Sequence, residues 1–171
     1  MQSKKVYITD VLWERSRRLL NSFAAVGSEA TEGIVYWFGF ETADVGIVTT
    51  LLVPDATASW GCISTSAEAN AEVLMSVVGT PLVLIGQAHS HPGSDVSHSP
   101  IDDRQTFPRF EGAISVVVPH FARNVVGLQE CGVHRFVDGA YKNVPPSENE
   151  DHLVVLLGEH NFRKQSKSKS Q

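Results

Sequence analysis

The stretch that decides the reading is Gln87-Ala88-His89-Ser90-His91-Pro92-Gly93-Ser94-Asp95-Val96-Ser97-His98-Ser99-Pro100-Ile101-Asp102-Asp103. It follows Pro81-Leu82-Val83-Leu84-Ile85-Gly86, an apolar run that reads as a buried strand. Side chains alternate along a strand, so His89 and His91 point one way and Ser90 the other. Two imidazoles side by side at a strand end fill a core poorly but hold a divalent cation well. Asp102, past a loop able to fold back, supplies a third ligand and leaves a fourth position to water. Three protein ligands with one open position mark a catalytic zinc site rather than a structural one.

A plainer reading competes at one point. Ser99-Pro100-Ile101-Asp102 is an ordinary helix start, with cap chemistry at Ser99 and proline in the first turn. It accounts for the serine and the acid but not for the two histidines before them. His98 reads as a partly buried polar residue.

His89-Ser90-His91, seven residues, Ser99, two residues, Asp102 resembles the motif of the JAMM metalloproteases, which are built on the MPN (Mov34-type) domain. The resemblance implies an α/β (α+β) MPN/JAB domain with a central mixed sheet flanked by helices. It implies one zinc ion held by His89, His91 and Asp102, with Ser99 donating to the oxyanion. It implies hydrolysis of an amide bond at the C-terminus of ubiquitin or a ubiquitin-like protein. The family pattern also has an upstream glutamate before a glycine-punctuated apolar strand. Glu32 and Glu29 both precede such a strand. Glu32 is preferred as general base because it lies seven residues before Gly39, although Gly33 directly after it departs from the pattern. The compact chain is more similar to the prokaryotic branch than to proteasome-lid or signalosome subunits. Members of that branch accompany proteins resembling ubiquitin-activating or ubiquitin-conjugating enzymes, including in antiphage systems.

The rest of the chain sets bounds. Its 171 residues, 42% of them hydrophobic, favour one domain over 1–160 and a polar tail over 161–171 expected to be disordered. A net charge of −5 with no basic stripe argues against nucleic acid or acidic membranes as partners. No apolar run is long enough to span a bilayer, and none resembles a signal peptide, so a cytoplasmic location is expected. Cys62 and Cys131 read as buried, reduced thiols.

Further elements follow from pattern. A strand over Val6–Thr9 leads into a helix capped by Asp10, with Arg15, Arg17 and Arg18 facing water and Gly27 as its stop. Ile34–Phe40 and Val45–Val53 form a hairpin. A helix begins after Thr65 or Ser66 and stops at Gly79. A short helix runs from Ser99 through Gln105. A core strand is expected over Gly112–Pro119, shorter strands joined by turns over Asn124–Leu128 and Glu130–Val137, and Leu153–Leu157 is an edge strand or helix segment. Asp103 is a candidate for orienting the imidazoles.

Other metal enzymes fit less well. Metallo-β-lactamase sites want aspartate where Pro92-Gly93 stands, cupins are all-β, and amidohydrolase barrels need a longer chain. A RadC-like or non-catalytic MPN scaffold that binds partners is the remaining alternative.

Overall fold

The computed structural model describes residues 4–24, 30–124 and 127–158. The elements in order are β1 (Lys5–Thr9), α1 (Asp10–Phe23), β2 (Ile34–Glu41), β3 (Val45–Leu52), β4 (Thr57–Ser59), β5 (Cys62–Ser64) and α2 (Ala67–Ser76). Then come β6 (Val83–Ser90), α3 (Pro100–Gln105), β7 (Ile114–Val118), β8 (Gly132–Val137), β9 (Ala140–Asn143), α4 (Asn149–His152) and β10 (Leu153–Leu156). Eight strands form one sheet in the order β10-β1-β3-β2-β6-β7-β8-β9, and β4 and β5 pair as a separate ribbon. β1 runs parallel to β10 and β3, and β6 runs parallel to β7; the other pairs are antiparallel. The mixed α+β architecture expected from the sequence is the one observed.

β2 shows why the sheet needs helices on both faces. Val35 and Trp37 pack into one cluster with Trp13 and Leu20 of α1. Ile34, Tyr36 and Phe38, on the alternate face, pack into another with Ile63 of β5 and Val73 of α2. A strand covered on both sides reads as a continuous apolar run. Trp37 also donates its indole N–H to Ser16 Oγ, which gives that buried hydroxyl a partner. Among the described residues no helix is long and apolar enough to cross a membrane.

Several expectations are corrected. Thr9, not Asp10, caps α1, with its side chain accepting from Leu12 N–H. Asp10 is instead the first helical residue, where a carboxylate suits the helix dipole. Arg17 is buried, pairing with Glu14 and donating to Asn124 O, whereas Arg15 and Arg18 are exposed. Ser66 caps α2, while Thr65 Oγ1 lies 3.0 Å from Tyr36 Oη. No strand forms in the described part of Asn124–Leu128, because Asn124 is left-handed (φ 70°) and Leu128 opens a 3-10 turn. Leu153–Leu156 is a strand. Cys131 is buried, but Cys62 is only half-buried. Gly27 and the 161–171 tail lie outside the described residues.

One turn runs against the usual backbone hand. His120, Phe121 and Ala122 have φ of 56°, 54° and 55°, a left-handed turn of three successive non-glycine residues. Each such residue costs ~1–2 kcal/mol. The turn is held by the loop after β6, since Phe121 N–H donates to His91 O and His120 N–H to Gly93 O. In return it fixes the backbone at His91. Because His120 is exposed, its side chain can be exchanged without opening the core. Urea unfolding should find His120→Gly more stable than His120→Val by about 1–2 kcal/mol, since only glycine adopts this conformation without strain.

Candidate metal centre

His89 is the penultimate residue of β6, at the centre of the sheet, paired with Ile34 of β2 and Val117 of β7. Its ring is 2% exposed. His91 lies one residue past the strand end, and its Nδ1 lies 2.9 Å from Asp95 O. A proton on Nδ1 satisfies that carbonyl and leaves Nε2 with a lone pair for a cation. The loop carrying Asp95 is closed by Ser97, whose backbone N–H and hydroxyl both donate to Asp95 Oδ1.

Asp102 reaches the histidines from α3. The two Nε2 atoms are 3.3 Å apart, His91 Nε2 is 3.3 Å from Asp102 Oδ2, and His89 Nε2 is 3.7 Å from Asp102 Oδ1. Ligands about 2.0–2.1 Å from a tetrahedral ion stand ~3.3–3.4 Å from one another. The three donors therefore sit near the spacing of one tetrahedral face, and the two-nitrogen, one-oxygen set suits zinc. No further His, Cys, Asp or Glu donor joins this group among the described residues.

The helix start and the ligand set use the same carboxylate without competing. Ser99 caps α3 in a capping box: its hydroxyl accepts Asp102 N–H, and Asp102 Oδ2 accepts Ser99 N–H at 2.7 Å. The cap thus aims the carboxylate at the imidazoles. The Ser99 hydroxyl accepts in this cap, so its own proton remains free to donate.

Glu32 is 3% exposed and lines a cleft of about 350 Å³ together with Trp60, Cys62, His91, Ser99 and Asp102. Gly33, beside it, is held by a pair of bonds to Ser90: Gly33 N–H donates to Ser90 Oγ and Ser90 N–H to Gly33 O. A Cβ on Gly33 would lie 2.6 Å from Leu20 O, so only glycine lets the chain pass α1 here. Glu32 N–H itself donates to Ser59 O of the β4–β5 ribbon. Sequence reasoning passed over Ser90 and Ser59. Ser90 faces away from the histidines, and on that face it pins Gly33. Glu29, the other candidate acid, lies outside the described residues. Asp103 touches His98 rather than a proposed ligand.

Burial pushes His89 down to about 3, so the ring is neutral as a ligand must be. Burial would raise Asp102, but the His91 and His89 rings beside it and the hydrogen bonds with Ser99 hold it well below the usual carboxylate range. Burial lowers His91, yet the bonds to Asp102 and Asp95 outweigh it and leave the ring raised. Burial lifts the Glu32 carboxyl to about 7, opposed by His91 and assisted by Asp102.

No family model matches the chain. A curated protein named probable metalloprotease y4jG, from Sinorhizobium fredii (strain NBRC 101917 / NGR234), is 28% identical over 136 residues, covering 77% of this chain and 83% of that protein. This is consistent with the JAMM/MPN resemblance. The solution structure of protein DSY2949 from Desulfitobacterium hafniense shares the fold, with a TM-score of 0.67 at 12% identity over 89% of this chain and 93% of that one. A JAB1/MPN domain protein from Archaeoglobus fulgidus superposes with a TM-score of 0.46 at 16% identity, over 90% of this chain and 99% of that one.

Elemental analysis after loading should find one divalent ion per chain. Loading should raise the melting temperature, and His91→Ala or Asp102→Asn should abolish both stoichiometric uptake and that rise.

Proposed function

We propose that this chain is a JAMM-type zinc metallopeptidase that hydrolyses an amide bond at the C-terminus of ubiquitin or a ubiquitin-like protein. The His-His-Asp cluster and the metalloprotease relative support a metal-dependent hydrolase. The observation that most supports a hydrolase with a carboxylate base is the buried Glu32 carboxyl in the same cleft as His91 and Asp102.

His89, His91 and Asp102 would hold the ion. A divalent cation there supplies Lewis acidity, polarising a carbonyl and lowering the pKa of water toward ~7. Glu32, itself lifted to about 7, accepts the proton of the attacking water and returns it to the leaving amine. Ser99 donates its free hydroxyl proton to the oxyanion. The β4–β5 ribbon, which places Trp60 64% exposed beside the cleft, offers a backbone edge along which an extended C-terminus lies as an added strand. The same reading places the chain in the cytoplasm, working with proteins that resemble ubiquitin-activating or ubiquitin-conjugating enzymes.

The test is incubation of zinc-loaded protein with peptide-linked and isopeptide-linked fusions of ubiquitin and ubiquitin-like proteins, read by gel. Chelator-sensitive release of the intact C-terminus is expected. Full cleavage by a His89→Ala protein would refute the mechanism. Glu32→Gln should lower the rate by ~10²–10⁴-fold with zinc still bound. The base must be ionised, so the rate should fall as pH drops through about 7 or somewhat lower, because a bound cation pulls the Glu32 carboxyl down. A pH–rate profile in wild type checks that limb.

A further inference from the structure

Behind the cluster lies a buried polar row that the proposed reaction leaves unused. β6, β7 and β8 align Gln87 with Ser115 and Ser115 with His134, all three buried. Gln87 precedes His89 by two residues, so both side chains leave the same face of β6. The Gln87 amide nitrogen lies 3.3 Å from His89 Nδ1 and 3.2 Å from Ser115 Oγ. Gln87 Oε1 is buried with no hydrogen-bond partner among the described residues. The row continues to His98, whose side chain is 4% exposed. Its Nε2 lies 3.0 Å from Ser115 Oγ and its Nδ1 3.2 Å from Asp103 Oδ1. His98 in turn stacks on His134 with ring centroids 4.0 Å apart.

A neutral imidazole has one N–H and one lone pair. An amide N–H donated to Nδ1 puts the His89 proton on Nε2, the atom that faces His91 and Asp102. That tautomer has no lone pair to give a cation through Nε2. A half-turn of the amide sets Oε1 against Nδ1, which then donates to it, and Nε2 is freed. The half-turn keeps the amide's shape; Ser115 then donates to the oxygen and accepts from His98 Nε2, and the amide nitrogen takes the place that had no partner. Oε1 thereby takes over two hydrogen bonds, from His89 Nδ1 and from Ser115, in place of the two the amide nitrogen made.

We propose that Gln87 is a positioning residue whose amide orientation, held by Ser115, decides which nitrogen of His89 carries the proton and hence whether the cluster can take a cation. This rests on the metal-site reading above. Carbonyl and carboxylate acceptors on the far nitrogen of a ligating histidine do this work in metal sites generally, and losing one weakens metal binding by ~10–100-fold.

The test measures Zn²⁺ affinity by competition with a chromophoric chelator, the visible spectrum of Co²⁺-loaded protein, and the melting temperature of metal-free protein. Gln87→Leu should bind Zn²⁺ ~10–100-fold more weakly while the metal-free protein melts no lower than wild type. Gln87→Glu, which accepts from Nδ1 without any turn, should bind at least as tightly as wild type and keep the wild-type Co²⁺ spectrum. Wild-type affinity in Gln87→Leu overturns the proposal, as does an equal loss in both variants. If the leucine variant fails to fold, Gln87→Glu decides alone: equal or tighter binding supports the assignment and weaker binding overturns it. A wild-type protein that takes up no Zn²⁺ removes the metal-site reading and this one with it. Uptake by wild type with no loss in Gln87→Leu removes only this one.

Discussion

The Asp102 carboxylate is drawn by the first turn of α3 on one side and by two imidazoles on the other. Each pull makes the other possible. The backbone N–H of Ser99 fixes the carboxylate's direction, and a fixed anion gives the two histidines a reason to face one point. The two imidazole nitrogens that face each other across 3.3 Å crowd their lone pairs unless a proton or a cation lies between them. The helix cap, the strand end and the left-handed turn at His120–Ala122 all hold that arrangement in place. Backbone geometry that would be unfavourable elsewhere is kept where it places a functional side chain.

The parts legible in the sequence were those with a period or a fixed spacing. Alternation along β6 placed His89 and His91 on one face, and the spacing from Ser99 to Asp102 read as a helix start. The long apolar runs of β2, β3 and β7 announced the central sheet. What escaped was short or acted through space. β4 and β5 are three residues each, with no alternation long enough to register. β9 follows Asp138-Gly139, both at positive φ, a hairpin signal present in the sequence but not taken up. Thr9 and Asp10 are both good caps, and only the first hydrogen bond separates them.

The site divides along the same line. His89, His91 and Asp102 belong to one continuous stretch, so their association could be expected from local spacing. Glu32 arrives from the segment just before β2, and the displaced glycine beside it obscured the spacing. The structure supplies a reason for that glycine: Gly33 is squeezed between Leu20 of α1 and Ser90 of β6. Gln87 and Ser115 meet through strand register alone, and no one-dimensional pattern carries that information.

The twin bonds between Gly33 and Ser90 couple the acid to the strand that carries His89 through the offset between two neighbouring strands. A shift of one residue in that offset would turn the whole of β2 inside out. The chain could then lose its chemistry while every signature side chain stayed in the text of the sequence. Among descendants of such a protein, a complete motif would be a poor witness of a living enzyme, and the glycine beside the acid a better one.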